Sequence, residues 1–223
     1  MAMKKELLFH FLKGILAGLA IGVGGFLYIL MTHLITGELG KVLGSILFSV
    51  GLFTVCSLSL SLYTGKVGLI YEQKQNKVFY ISLPIMLVGN AIGAFGLGML
   101  CFLIFKDTAI FDTALKTAAL RLSFGSFNDF LSCVVKSTLC GLCVYLAVKC
   151  FAYKKISLLG TGLLVFFVFL FVYCGFQHCI ANIFYFGFAW SWSWQMIVDL
   201  ILCIAFNSVG PLFGVLLIKA IKG

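Results

Sequence analysis

The sequence predicts an all-α polytopic membrane protein: six transmembrane helices in two inverted three-helix repeats, with the second and fifth helices broken. Three observations carry that prediction. The 223 residues are 62% hydrophobic before 24 glycines are counted, against roughly 45–50% apolar with glycine included in soluble domains. Only 10% are charged, less than half of the usual share of about 25%. The third observation is a pair of short patterns that recur in the two halves. A soluble domain of this size cannot wet a surface so poor in charge. Composition therefore excludes a soluble enzyme, a nucleic-acid binder and a disordered protein.

A spanning helix needs about 20 mainly apolar residues. The first candidate runs from Phe11 to Met31 behind a basic start. Further spans follow it and no small-residue cleavage pattern closes it, so it reads as a span and not a removable signal. The second apolar region covers Val42 to Tyr71, the third Val78 to Phe105 and the fourth about Phe130 to Val148. No charge interrupts Ile156 to Val198, which is too long for one span and long enough for two with a turn. Trp190, Trp192 and Trp194 mark that turn at a membrane interface, where indole rings settle. The sixth span ends near Ile218.

The net charge of +9 comes from basic residues in short clusters between apolar stretches, a pattern that sets membrane orientation. Placing both termini in the cytoplasm puts Lys4, Lys5, Lys13, Lys66, Lys74, Lys77, Lys149, Lys154, Lys155, Lys219 and Lys222 on that side. Lys41, Lys106, Lys116, Arg121 and Lys136 remain outside with Glu38, Asp107, Asp112 and Asp129. The localisation expected is the inner, cytoplasmic membrane, in contact with the lipid bilayer and with no nucleic acid. The nine cysteines mostly lie inside apolar segments and read as small buried hydrophobes. Cys140-x-x-Cys143 has no second CxxC or histidine at ligand spacing. No disulfide framework, metal site or cofactor is expected.

Leu12-Lys-Gly-Ile-Leu-Ala-Gly18 in the first span matches Val135-Lys-Ser-Thr-Leu-Cys-Gly141 in the fourth. Asn90-Ala-Ile-Gly93 in the third matches Asn207-Ser-Val-Gly210 in the sixth. Three helices separate the halves, so the repeats run in opposite directions across the bilayer, as in transporters and channels with a site near the midplane. The expected organisation is one channel domain, 1–223, with repeats about 1–106 and 128–223 joined by an extracytoplasmic segment 107–127. The middle region of each half is oddly polar. Ser57-Leu-Ser-Leu-Ser-Leu-Tyr-Thr-Gly-Lys66 and Cys174-Gly-Phe-Gln-His-Cys179 each set glycine beside polar side chains within apolar runs. Irregular backbone at membrane depth survives only where protein or a wet cavity surrounds it, and paired interruptions point to a transport site. Serines can also simply bond back onto their own helix.

At these residues the chain resembles the formate/nitrite transporter family. The second-helix pattern of an acid followed by Leu-Phe-Thr-Gly reads here as Ser61-Leu62-Tyr63-Thr64-Gly65. The fifth-helix Gly-Phe-Glu-His-Ser-x-Ala-Asn reads Gly175-Phe176-Gln177-His178-Cys179-Ile180-Ala181-Asn182. Gly89 to Gly93 and Asn207 to Gly210 match the third- and sixth-helix patterns. The resemblance implies an aquaporin-like protomer, a homo-pentamer with one pore per protomer, and passage of small monovalent anions or their acids (formate, nitrite, hydrosulfide, lactate or acetate). It places Thr64 opposite His178 at the pore centre. It assigns constrictions to Phe48, Leu52, Leu62, Tyr63, Val144 and Phe171, and polar support to Asn90, Asn182 and Asn207. The lysine that the family carries ahead of its histidine falls by count on Gly125, which leaves Arg121 and then Lys116 to attract the anion. Lys136 fits a different basic position. Gly141 replaces a common asparagine, and Ser61 and Gln177 replace the motif acids.

Desolvating a bare anion costs several kcal/mol or more, so an apolar constriction needs either a hydrogen-bond donor or a proton that neutralises the anion. His178 is the histidine deep in a span, and imidazole is suited to both tasks near neutral pH. His10 and His33 sit near membrane edges and read as incidental. The expected function is a pH-dependent channel for small monovalent anions or their weak acids, with protons as the second partner, and not an enzyme. A neutral-solute channel of aquaporin type is the alternative, although the paired Asn-Pro-Ala signature is absent. A haem-binding redox subunit using His33 and His178 is weaker, because His33 lies at the end of its span. A hydrolase lacks its motifs and any carboxylate deep in a span.

Overall fold

The computed structural model describes residues 2–72, 74–122, 126–154, 157–190 and 192–222, and within them every regular element is a helix. In order these are α1 (Ala2–Leu34), α2 (Glu38–Ser57), α3 (Tyr63–Lys66), α4 (Leu69–Glu72), α5 (Lys77–Phe105), α6 (Ala109–Ala119), α7 (Phe127–Lys154), α8 (Leu158–Tyr173), α9 (Cys179–Ala189) and α10 (Trp194–Lys222). Helices α1, α2, α5, α7 and α10 are long and apolar enough to cross a membrane, whereas α8 and α9 are shorter apolar helices. The chain is an integral membrane protein. Lys155 and Ile156, where the charge-free stretch begins, lie outside the described residues.

Helix α1 packs on α2 and α5, and α7 packs on α8 and α10, so each half is built around one long helix. Glycine makes both pairings close. A Cβ on Gly18 of α1 would collide with the Asn90 carbonyl of α5, and one on Gly141 of α7 with the Asn207 carbonyl of α10. Small residues permit such approach where no solvent drives helices together. Helix α9 fills the middle: all its residues are buried, and it contacts α5, α6, α1 and α10. A helix apolar on every side belongs inside. The turn between α9 and α10 carries Trp190 and Trp192, and Trp194 opens α10; all three are exposed.

The limits of two spans differ from the sequence expectation. The first span is longer than Phe11–Met31, beginning at Ala2. The fourth extends to Phe127–Lys154 because polar residues at both ends still bond helically. The segment 107–127, expected to join the halves, contains α6, which buries Ile110, Ala114, Thr117 and Ala118. That i, i+4, i+7, i+8 spacing is one helical stripe, and the stripe lies on α9 and α1.

Candidate functional site

Helices α2 and α8 end in the same way. After α2, Leu60 N–H donates to Val55 O at 2.9 Å and Ser59 N–H to Cys56 O at 3.2 Å. After α8, Phe176 N–H donates to Phe171 O at 2.8 Å and Gly175 N–H to Val172 O at 3.0 Å. Both are Schellman ends, which place one residue in the left-handed region. That residue is Ser59 (φ 50°) in the first half and Gly175 (φ 69°) in the second. Each stop is followed by a short irregular stretch, which leads into α3 after Leu62 and into α9 after His178.

Two buried asparagines clamp those stretches. Asn90 Nδ2 donates to Ser61 O and Gly14 O, both at 2.8 Å, while Tyr63 N–H donates to Asn90 Oδ1 at 2.8 Å. Asn207 Nδ2 donates to Gln177 O and Ser137 O, both at 2.8 Å, while Cys179 N–H donates to Asn207 Oδ1 at 3.0 Å. Each amide satisfies the backbone on both sides of one residue, Leu62 in one half and His178 in the other. Backbone polar groups left unpaired inside an apolar medium would cost several kcal/mol each. The first clamp is reinforced from α1, where Lys13 Nζ donates to Ser59 O at 3.0 Å and His10 Nδ1 meets Ser61 Oγ at 3.0 Å. His10 is therefore engaged with the loop and not incidental.

The two stretches meet at Thr64 and His178. Thr64 Oγ1 lies 3.0 Å from His178 Nε2, and both residues are buried. Ala181 N–H reaches His178 Nδ1 at 3.2 Å and caps α9. A backbone N–H can only donate, so Nδ1 accepts, and the proton of the neutral ring sits on Nε2. Nε2–H then donates to Thr64, whose hydroxyl hydrogen is left to donate elsewhere. The Phe171 ring stacks on the imidazole with centroids 5.8 Å apart, and Phe48 meets Phe171 edge-on at 5.8 Å.

Two spaces lie near this pair. A chamber of about 430 Å³ is lined by Leu62, Gly65, Lys66, Val148 and Phe151, with Leu62 and Gly65 being the neighbours of Tyr63 and Thr64 in sequence. A second cavity, of about 10 Å³, is bounded by Phe48, Phe171, Arg121, His178, Asn182 and Tyr185. Leu52 and Val144 are buried in the same core and line neither space. Tyr63 turns toward α10, its hydroxyl 2.8 Å from Ser208 Oγ. Asn182 Nδ2 donates to Gln177 Oε1 at 2.7 Å, and Gln177 Nε2 donates to Arg121 O at 3.2 Å.

Arg121 follows the last turn of α6, is 7% exposed and donates from Nη1 to Phe176 O at 3.1 Å. Lys116, one turn earlier, is exposed, and Gly125 lies outside the described residues. Tyr185 was passed over in the sequence, although its i+3 spacing from Asn182 puts both on one face of α9. Asp199, buried in α10 beside Cys133, is a carboxylate within a candidate span that the sequence reading also missed. Its signal was its place in an otherwise apolar run.

The family model described as formate/nitrite transporter matches residues 2–221. Among solved structures, one described as a pentameric formate channel with formate bound superposes with a TM-score of 0.80 at 22% identity, covering 98% of this chain and 98% of that chain. Another, described as an FNT family ion channel, superposes with a TM-score of 0.80 at 17% identity, covering 100% of this chain and 92% of that one. At these identities the likeness is one of fold. No curated protein matches the sequence.

Proposed function

The chain belongs to the formate/nitrite transporter family, and from that premise we propose that it is a pH-dependent channel for small monovalent anions or their conjugate weak acids. Formate, nitrite, hydrosulfide and short carboxylates are the candidate cargoes, carried across the cytoplasmic membrane. In this reading the chain crosses six times with both termini cytoplasmic. Helix α2 with α3–α4 forms one broken span and α8 with α9 the other. The matched helix ends and matched asparagine clamps support two inverted repeats, about 1–106 and 128–223, with 107–127 extracytoplasmic. The path runs from the chamber beside Lys66, past Leu62, to Thr64 and His178, and out between Phe171 and Phe48. Leu52, Tyr63 and Val144 back its narrow part; exposed Lys116 draws anions to the mouth, and buried Arg121 attracts them at short range beyond it. Five protomers assemble, as in the pentameric formate channel that the fold resembles.

The observation that carries this reading is the 3.0 Å contact between Thr64 and His178, set against the Phe171 and Phe48 rings. An anion entering an apolar neck loses hydration at a cost of several kcal/mol. The Thr64 hydroxyl, polarised by Nε2–H, replaces part of it. A net proton gift from the neutral ring would leave an imidazolate, so the proton for a neutral acid comes from hydronium in the medium. It arrives on Nδ1 as the Ala181 cap opens; Nε2–H passes to Thr64, and the Thr64 hydrogen passes to the anion. The ring is then neutral with its proton on Nδ1, and it returns to the starting tautomer by releasing that proton to water as another is taken up at Nε2. Weak-acid flux then rises as the medium acidifies. Uptake of formate, nitrite, hydrosulfide, acetate, lactate and chloride into proteoliposomes tests the reading. Uptake of at least one anion, cut by tenfold or more in Thr64→Val, is expected. Uptake no greater than in empty liposomes, or unchanged in Thr64→Val, contradicts it.

A further inference from the structure

The small cavity beyond His178 contains more unmet hydrogen-bonding capacity than a packed core tolerates. Arg121 Nε, Tyr185 Oη and Asn182 Oδ1 are all buried without a hydrogen-bond partner, and all three residues border the same space of about 10 Å³. Buried polar groups in native proteins are nearly always satisfied, so three together at one cavity point to something they bind. Arg121 raises the demand, because its charge is also uncompensated. Among the described residues the ion pair found is Lys149 with Glu72, and no carboxylate meets the guanidinium. Gln177, whose side chain touches the Arg121 backbone, is an amide where the family pattern has an acid. The Tyr185 ring lies 5.2 Å from the guanidinium carbon, which steadies the cation without neutralising it. A buried charge is ordinarily paired or bonded to an ion.

We infer that Arg121, Tyr185 and Asn182 form a second anion-binding site, next to but separate from the Thr64–His178 pair, which holds a monovalent anion with a single heavy atom as the counter-ion of Arg121. A cavity of this volume is roughly the room taken by one water, so it excludes polyatomic anions, and a single-heavy-atom ion, somewhat larger than water, enters by a small outward shift of the Phe171 or Phe176 side chain. Nε–H and the Tyr185 hydroxyl are the donors. Asn182 Oδ1, fixed as an acceptor because Nδ2 is spent on Gln177, favours an anion that carries its own hydrogen. The inference rests on the reading that small anions reach this depth, and binding is measured apart from transport for that reason.

Thermal unfolding of the detergent-solubilised protein is followed while chloride or hydrosulfide is titrated at constant ionic strength, with gluconate as the balancing anion. An ion that binds the folded state alone raises the midpoint in proportion to site occupancy. The wild type should respond to both ions, with hydrosulfide half-saturating at the lower concentration. Arg121→Gln should raise the half-saturating concentration by at least about tenfold, and Tyr185→Phe, which removes one hydroxyl, by roughly three- to tenfold. Thr64→Val should keep the wild-type response even where its transport is lost, which separates the two sites. Wild-type responses in both Arg121→Gln and Tyr185→Phe overturn the site. If Arg121→Gln does not fold, an unchanged response in Tyr185→Phe alone overturns it. Tighter half-saturation by chloride than by hydrosulfide overturns the role given to Asn182.

Discussion

At the residue scale, burial separates two basic side chains that sequence alone treats as equivalent. Lys116 is exposed and Arg121 is 7% exposed. Exposed charges are screened over about 10 Å at 0.1 M salt, whereas buried ones are screened far less. Lys116→Ala should therefore lower anion flux by about twofold at low ionic strength and leave it unchanged at high salt. Arg121→Gln should lower it at every salt concentration. Initial uptake rates measured across a salt series check this, and a salt-sensitive loss in Arg121→Gln would assign it to steering at the mouth. The burial of Arg121 was not legible in the sequence. A guanidinium in a segment that also holds Asp107, Asp112 and Lys116 reads as solvated charge. Only the apolar stripe of α6, which ends against α9, carries it inward.

At the element scale, the paired Schellman ends offer a matched comparison. Gly175 adopts φ 69° at no steric cost, while Ser59 adopts φ 50° with a side chain. A non-glycine residue in the left-handed region costs roughly 1–2 kcal/mol, partly offset by the extra freedom glycine has when unfolded. Ser59→Gly should thus stabilise the protein by about 0.5–1 kcal/mol, a rise of about 2–4 °C in midpoint at most. Gly175→Ala, which meets nothing within 4 Å of its Cβ, should destabilise it by about 1 kcal/mol. Thermal unfolding of the two variants decides it, and the same sign of shift in both would refute the conformational account. Gly175 was readable as a stop, because glycine is the usual residue there. The stop at Ser59 was not, because serines in an apolar run serve equally as back-bonded helix interior. The Asn-x-x-Gly patterns were readable as repeats, yet their role as clamps on Ser61, Tyr63, Gln177 and Cys179 emerges only when α5 and α10 lie against the loops.

At the scale of the whole molecule, composition was enough to identify the membrane as solvent, since apolar length and missing charge act through the bilayer directly. The long helices followed from that. Pairing Thr64 with His178 did not, because the two are far apart in sequence and their meeting depends on two separate helix ends pointing at one place. The family patterns stood in for that tertiary fact. The central claim is that this pair passes the anion, and the pH dependence of uptake in His178 variants tests it most directly. His178→Phe keeps a ring against Phe171 but removes both nitrogens. It should cut weak-acid uptake by tenfold or more, on the order expected for a lost general acid–base group, and flatten the remaining pH profile. His178→Asn keeps an N–H for Thr64 but cannot relay a proton, so it should retain part of the conductance without the pH response. Wild-type rates and pH profiles in both variants, in a protein that still folds, would contradict the account and leave His178 as the cap of α9 and nothing more.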